Sequence, residues 1–133
     1  MSRPTMARQG DLLFITIPAV QRPTGAPVPR DQGRVILARG ETTGHAHAVV
    51  APDAVLYTWS DRAAMGAAVR ELLASVGLTT EIRDEEVIGL LHTPAGAEVV
   101  HEEHAPIVLP ADRRHIVLRQ REYTPAAIRT MAD

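Results

Sequence analysis

The chain has 133 residues, an apolar fraction of 45% and a formal charge of −2, enough for one domain with a sizeable core and too short for two ordinary ones. It contains no cysteine, which excludes disulfides, thiolate metal sites and a cysteine nucleophile. Its basic residues are all arginine, which excludes Schiff-base chemistry on lysine and a P-loop lysine.

The near-neutral balance exerts no broad pull on nucleic acid or acidic membranes, so neither is an expected partner. Phe14, Tyr57, Trp59 and Tyr123 are the whole aromatic complement, so the core must come from Val, Leu, Ile and Ala. No apolar leader precedes the first strand and no run approaches membrane-spanning length, which makes the cytoplasm the expected compartment.

In chain order, Leu12 to Ile17 is a short apolar run bounded by Gly10-Asp11 and Pro18, the pattern of a buried strand. Gln21 to Gly33 is rich in Pro and Gly and reads as a surface loop. Arg34 to Ala38 is the second predicted strand. Gly44 to Val50 is the third, with His45, His47 and Val49 on one face and Ala46, Ala48 and Val50 on the other. Ala54 to Trp59 is the fourth.

The period then changes. From Asp61 to Val76, Met65, Ala68, Val69, Leu72, Leu73 and Val76 recur at helical spacing, with Ser60 or Asp61 as N-cap and Gly77 as terminator. Leu78 to Glu86 reads as a polar connection. Val87 to His92 and Ala97 to His101 form a hairpin through Thr93-Pro94-Ala95-Gly96. Ile107 to Leu109 and His115 to Tyr123 complete the strands, the last with Ile116, Leu118, Gln120 and Glu122 on one face.

About seven or eight short strands with one helix suggest a mainly β protein, a small antiparallel barrel or sandwich. The expected organisation is one β-rich domain over residues 1–133, with a helical insertion at about 61–77. That helix would cover an open end or edge of the sheet, or dock onto a partner.

Four of the six histidines fall in two short segments, His45/His47 and His101/His104. On a strand, H-x-H aims two imidazoles to one side. His101 and His104 reach a common site only if the chain bends at Glu102-Glu103. The candidate ligands are His45, His47, His101 and His104, with Glu122 as a carboxylate. Donors of nitrogen and oxygen suit Zn, Mn, Fe or Ni. Glu102 and Glu103 are the candidate catalytic bases. The spacing of H-E-E-H differs from that of H-E-x-x-H, and its surroundings are not helical. His92 and His115 read as structural or surface residues.

Gly40 to His47 (G-E-T-T-G-H-A-H) resembles the first histidine motif of cupins, which are small jelly-roll barrels. That resemblance implies a site inside a barrel, and only His45 and His47 carry over. Where it implies a following glutamate, the chain has Val49, Val50, Ala51 and Pro52. A second likeness is to a set of small bacterial and phage-type proteins that combine this segment with H-E-E-H-A-P-I and a terminal Q-R-E-Y-x-P, here Gln120 to Pro125. It covers both ends of the chain but not the helical middle.

The first functional expectation is a cupin-like protein that binds a divalent metal and acts as a metal-dependent enzyme on an unread substrate, with a small molecule as its ligand. The alternative is a non-enzymatic homo-oligomeric assembly module, with structural or interfacial histidines and the helix stripe as a docking face. A third reading uses Arg113, Arg114, Arg119 and Arg121 to bind an anionic ligand or nucleic acid, against the commoner account of a solvated strand face.

Overall fold

Strand β2 (Leu12–Pro18) is apolar on both faces, and in the computed structural model both faces are covered. The structure describes residues 4–18, 25–40, 44–120 and 128–130. Leu12 and Phe14 enter one core, and Leu13, Ile15 and Ile17 enter another, as alternation along a strand requires. The antiparallel neighbour β11 (Arg113–Arg119) divides in the same way, with Val117 in the first core and Ile116 and Leu118 in the second.

These two strands lie inside a six-stranded sheet ordered β1 (Thr5–Gln9), β2, β11, β8 (Val87–Thr93), β6 (Val55–Thr58), β3 (Ala26–Pro27). A four-stranded sheet, β10 (Ile107–Leu109), β9 (Ala97–Val100), β5 (Ala46–Val49) and β4 (Val35–Arg39), packs over its first face. Val35, Leu37, Val49, Val99 and Leu109 there meet Leu12, Phe14, Leu56, Leu91 and Val117. Every pairing is antiparallel. The fold is therefore a mainly β sandwich with one helix, and no closed barrel forms among the described residues.

Helix α1 (Arg62–Ser75) covers the second face. Asp61 caps it, its Oδ1 accepting from the Ala63 amide at 2.9 Å, which satisfies one of the helix's orphan donors. Met65, Val69 and Leu73 are buried against Ile15, Leu90, Ile116 and Leu118. The helix thus lies across a sheet face, not at an open end or edge, because the second faces of β2, β8 and β11 need apolar cover. Met65, Val69 and Leu73 of its stripe are core, and Leu72 and Val76 pack against that core while partly buried.

Two elements depart from expectation. Thr5–Gln9 forms edge strand β1, paired with β2 through the two-residue turn Gly10-Asp11. The stretch after the helix is more than a polar connection: Leu78–Thr80 is strand β7, paired with β12 (Ile128–Thr130), and Leu78 and Ile82 enter the second core. The expected last strand ends at Arg119, and residues 121–127, including Glu122 and Tyr123, lie outside the described residues.

His115 is fully buried in β11, between two threonines. The Thr93 hydroxyl donates to the Pro110 carbonyl at 3.0 Å, so it accepts from His115 Nε2–H at 2.8 Å. His115 Nδ1 then accepts from the Thr16 hydroxyl, also at 2.8 Å. The ring is neutral and satisfied at both nitrogens. Burial, aided by the charges of His92 and Arg113, holds its pKa at about 4. A histidine this far below its unfolded value contributes stability that is complete above about pH 6.5 and is lost as pH falls toward the folded value.

Urea unfolding at about pH 7.5 and about pH 4.5 is expected to show a loss on the order of 3 kcal/mol from this group, and His115→Gln should flatten that part of the profile. Separately, Leu73→Ala should lower stability by about 2–5 kcal/mol in the same assay, the cost of an unfilled core site. A loss below about 0.5 kcal/mol would place the stripe outside the core.

Candidate functional site

One end of the sandwich gathers the β1–β2 turn, the start of β5, the segment after β9 and the end of β11. His47 lies on β5 on the same face as Val49, so its ring points between the sheets; its side chain is 6% exposed. His45 stands just before the strand and is half-buried. The chain bends over Glu102 to His104, as the sequence requires for a common site, and brings the His101 and His104 ring centroids to 4.7 Å.

All four predicted histidines meet. The His101 ring lies 4.3 Å from that of His47 and 5.8 Å from that of His45. His104 stacks on His47, with centroids 6.0 Å apart and planes 10° from parallel. Glu122 lies outside the described residues. Among the described residues, no three histidine, aspartate or glutamate donors already close on one point.

Hydrogen bonds give His45 and His101 distinct roles. His45 Nδ1 lies 2.9 Å from Glu103 Oε1; the carboxylate accepts, which puts the proton on Nδ1 and the neutral ring's lone pair on Nε2. His101 Nδ1 accepts from the Glu103 amide at 3.0 Å, so in the neutral ring Nε2 carries the proton. As it stands, His101 presents a donor toward its neighbours, and its lone pair is used by the backbone.

The two glutamates expected as bases both lean on the start of β5. Glu103 orients His45, as above. Glu102 Oε2 accepts from the Ala46 amide at 3.1 Å. Backbone hydrogen bonds, first at its own amide and then at Ala46, keep Glu102 below the usual carboxylate range, which favours an acceptor over a base.

Gln9, Gly10, Asp11 and Arg119 join the site without having been anticipated there. Gln9 is 2% exposed and faces His47 Nδ1 through Oε1 at 2.8 Å. Gly10, at φ +59°, lies so close that a Cβ there would meet His104 Nε2 at 2.8 Å and His47 Cε1 at 3.2 Å. Asp11 Oδ1 is 3.6 Å from His47 Nε2, and Asp11 Oδ2 accepts from Arg119 Nε at 2.8 Å. The available signal was the Gly-Asp pair before Leu12, a two-residue hairpin turn.

The electrostatics favour neutral imidazole at the centre. Burial first, and then the charge of His101, bring the His47 pKa to about 4, against the opposite pull of Asp11. Partial burial pushes the Asp11 carboxyl up, but the hydrogen bond and charge of Arg119 outweigh it, leaving a net value below the ordinary one. Gln120, just beyond β11, accepts from Arg8 through Oε1 at 2.8 Å. A separate groove of about 410 Å³ is lined by Trp59, Arg62, Met65, Ile88 and Arg119, among others.

No helix among the described residues is long and apolar enough to cross a membrane. No curated protein matches the chain, and no solved structure does. Residues 8–120, running from β1 to the residue after β11 and so containing every described residue of this cluster, match DUF8820, a domain of unknown function, and the chain belongs to that family.

Proposed function

We propose that the chain binds a divalent metal ion through the histidine cluster at this end of the sandwich, with His47 as the buried anchor. The observation that carries the reading is the convergence of four imidazoles from two distant segments, with the His47 ring 4.3 Å from His101 and 6.0 Å from His104. Isolated surface histidines need no such gathering. The neutral state of His47 also suits a ligand, since imidazole binds metal only when unprotonated. The His45–Glu103 pair has the form in which a carboxylate orients a ligating ring.

The ligand set drawn from His45, His47, His101 and His104 requires His101 to give up its hydrogen bond with the Glu103 amide, or to remain beside the ion as a donor. Glu122 is retained as a further carboxylate ligand of the proposal. The donors suit Zn, Mn, Fe or Ni. The cupin likeness of Gly40 to His47 adds the expectation of two histidines from one H-x-H segment at one ion. When bound, an ion would supply Lewis-acid polarisation of a substrate oxygen. The groove beside Arg119 has a volume suited to a small molecule. Among the chain's own groups, Glu103 orients His45 and Glu102 holds the start of β5.

A second reading, a non-enzymatic homo-oligomer, draws on Val108 and Met6. These are 77% and 48% exposed on edge strands β10 and β1. Open strand edges offer unpaired backbone groups to another chain. Light scattering of the untagged protein, with and without metal, distinguishes a monomer from an assembly.

Protein purified without a histidine tag and incubated with Zn, Mn, Fe or Ni salts is expected to retain stoichiometric metal by elemental analysis, and the double variant His45→Ala/His47→Ala to lose it. A metal-free wild type after those incubations sinks the reading. In a thermal melt, zinc at ~100 times its dissociation constant should add ~2.7 kcal/mol and raise Tm on the order of 10 °C. The double variant should show no such shift.

A further inference from the structure

We infer that His47 Nε2 and Asp11 Oδ1 are the two innermost ligand atoms of the site, and that Gln9 is the positioning residue that sets His47 in the tautomer this requires. The inference rests on the metal reading proposed above and adds to its ligands a carboxylate from the β1–β2 turn.

The argument begins with the Gln9 amide. Its Nε2 donates to the Val99 carbonyl at 2.9 Å and to the Ala105 carbonyl at 3.0 Å. Both amide hydrogens are thereby used, and a flipped amide would set its oxygen against two carbonyl oxygens. Oε1 must therefore be the atom 2.8 Å from His47 Nδ1. An amide oxygen only accepts, so His47 carries its proton on Nδ1 and its lone pair on Nε2.

That lone pair faces a carboxylate. Asp11 Oδ1 lies 3.6 Å from Nε2, while Arg119 engages the other oxygen, Oδ2, at 2.8 Å. His47 is buried and Asp11, in the turn, is 29% exposed; two electron-rich atoms this close repel, and a cation between them relieves that repulsion. Ligand bonds of about 2.0–2.2 Å at a tetrahedral angle hold two ligand atoms ~3.4 Å apart, close to the spacing found here. The Gly10 turn supports the same geometry, because a side chain at that position would occupy the space beside His47 Cε1 and His104 Nε2. Gln9 and Arg119 then stand behind the two ligands as their hydrogen-bonding supports, the arrangement that tunes metal sites generally.

The test has a metal-free arm and a zinc arm. Ring-nitrogen NMR shifts of His47 in the metal-free wild type are expected to report the Nδ1–H form. Gln9→Met, close in size but without an acceptor, should move His47 toward the Nε2–H form and weaken zinc binding ~10–100-fold. Asp11→Asn keeps an acceptor for Arg119 and should leave the tautomer unchanged while weakening zinc binding at least ~10-fold. If Gln9→Met fails to fold, the wild-type tautomer and Asp11→Asn carry the test.

A wild-type His47 protonated on Nε2 overturns the inference whether or not metal binds. Wild-type zinc affinity in Asp11→Asn overturns the ligand pair; if His45→Ala/His47→Ala still loses metal, the broader metal reading survives it. Failure of the wild type to bind zinc or the other ions, with His47 in the Nδ1–H form, overturns the metal reading and the ligand pair together.

Discussion

The antiparallel pairing of β2 with β11 constrains everything else, because both strands are buried on both faces and sit in the interior of the larger sheet. A strand buried on two sides needs two covering layers, and the four-stranded sheet and helix α1 supply them. The register that places Phe14 opposite Val117 also places Leu12 opposite Arg119. Parity then puts Arg119 on the Val117 side, at the sandwich end beside the β1–β2 turn. A slip of one residue would turn Arg119 toward the helix and leave Asp11 without its guanidinium.

At that end the polar groups form a layered arrangement. Backbone carbonyls of Val99 and Ala105 hold Gln9, Gln9 holds His47, and Arg119 holds Asp11. The pairs are partly or wholly removed from water, so each unsatisfied member would cost more than a typical net hydrogen bond contributes. His115 shows the same logic without any site attached: two threonines fix its tautomer deep in the sheet. Buried histidine in this protein is therefore not in itself a sign of function. What sets His47 apart is the direction of its second nitrogen, toward a carboxylate and two further imidazoles.

Much of the fold was legible because period and punctuation agree. The helix between Asp61 and Gly77 and the two strands flanking Thr93 to Gly96 follow from spacing and turn residues alone, with observed bounds within a residue or so of expectation. The hairpin expected there does not form, because β8 joins the six-stranded sheet and β9 the four-stranded one, so the turn crosses between layers. Strand β1 was not legible in the same way. Thr5–Gln9 is an edge strand with an exposed and polar composition, so it lacks the apolar alternation that marks a half-buried strand. The site followed suit. Its histidines stand out by type and spacing, and even the bend at Glu102 to His104 could be required in advance. Gln9 and Asp11 depend on a pairing between distant strands, which no local pattern records, and Glu122 falls outside the described residues.

The turn at Gly10 and the groups around it also bear on how the protein forms. Gln9 reaches His47 across 38 residues and Val99 across 90, and Asp11 meets Arg119 across 108. Contacts of such separation are closed late, after the loop entropy between them has been lost. Each histidine pair is local, but the two pairs meet each other and the β1–β2 turn only in the finished sandwich, so the early chain holds no complete site for an ion. Its effect would fall on the rate of unfolding and leave the rate of folding almost untouched. The site would act as a clasp on a finished sandwich, lengthening the life of the native state without helping to find it.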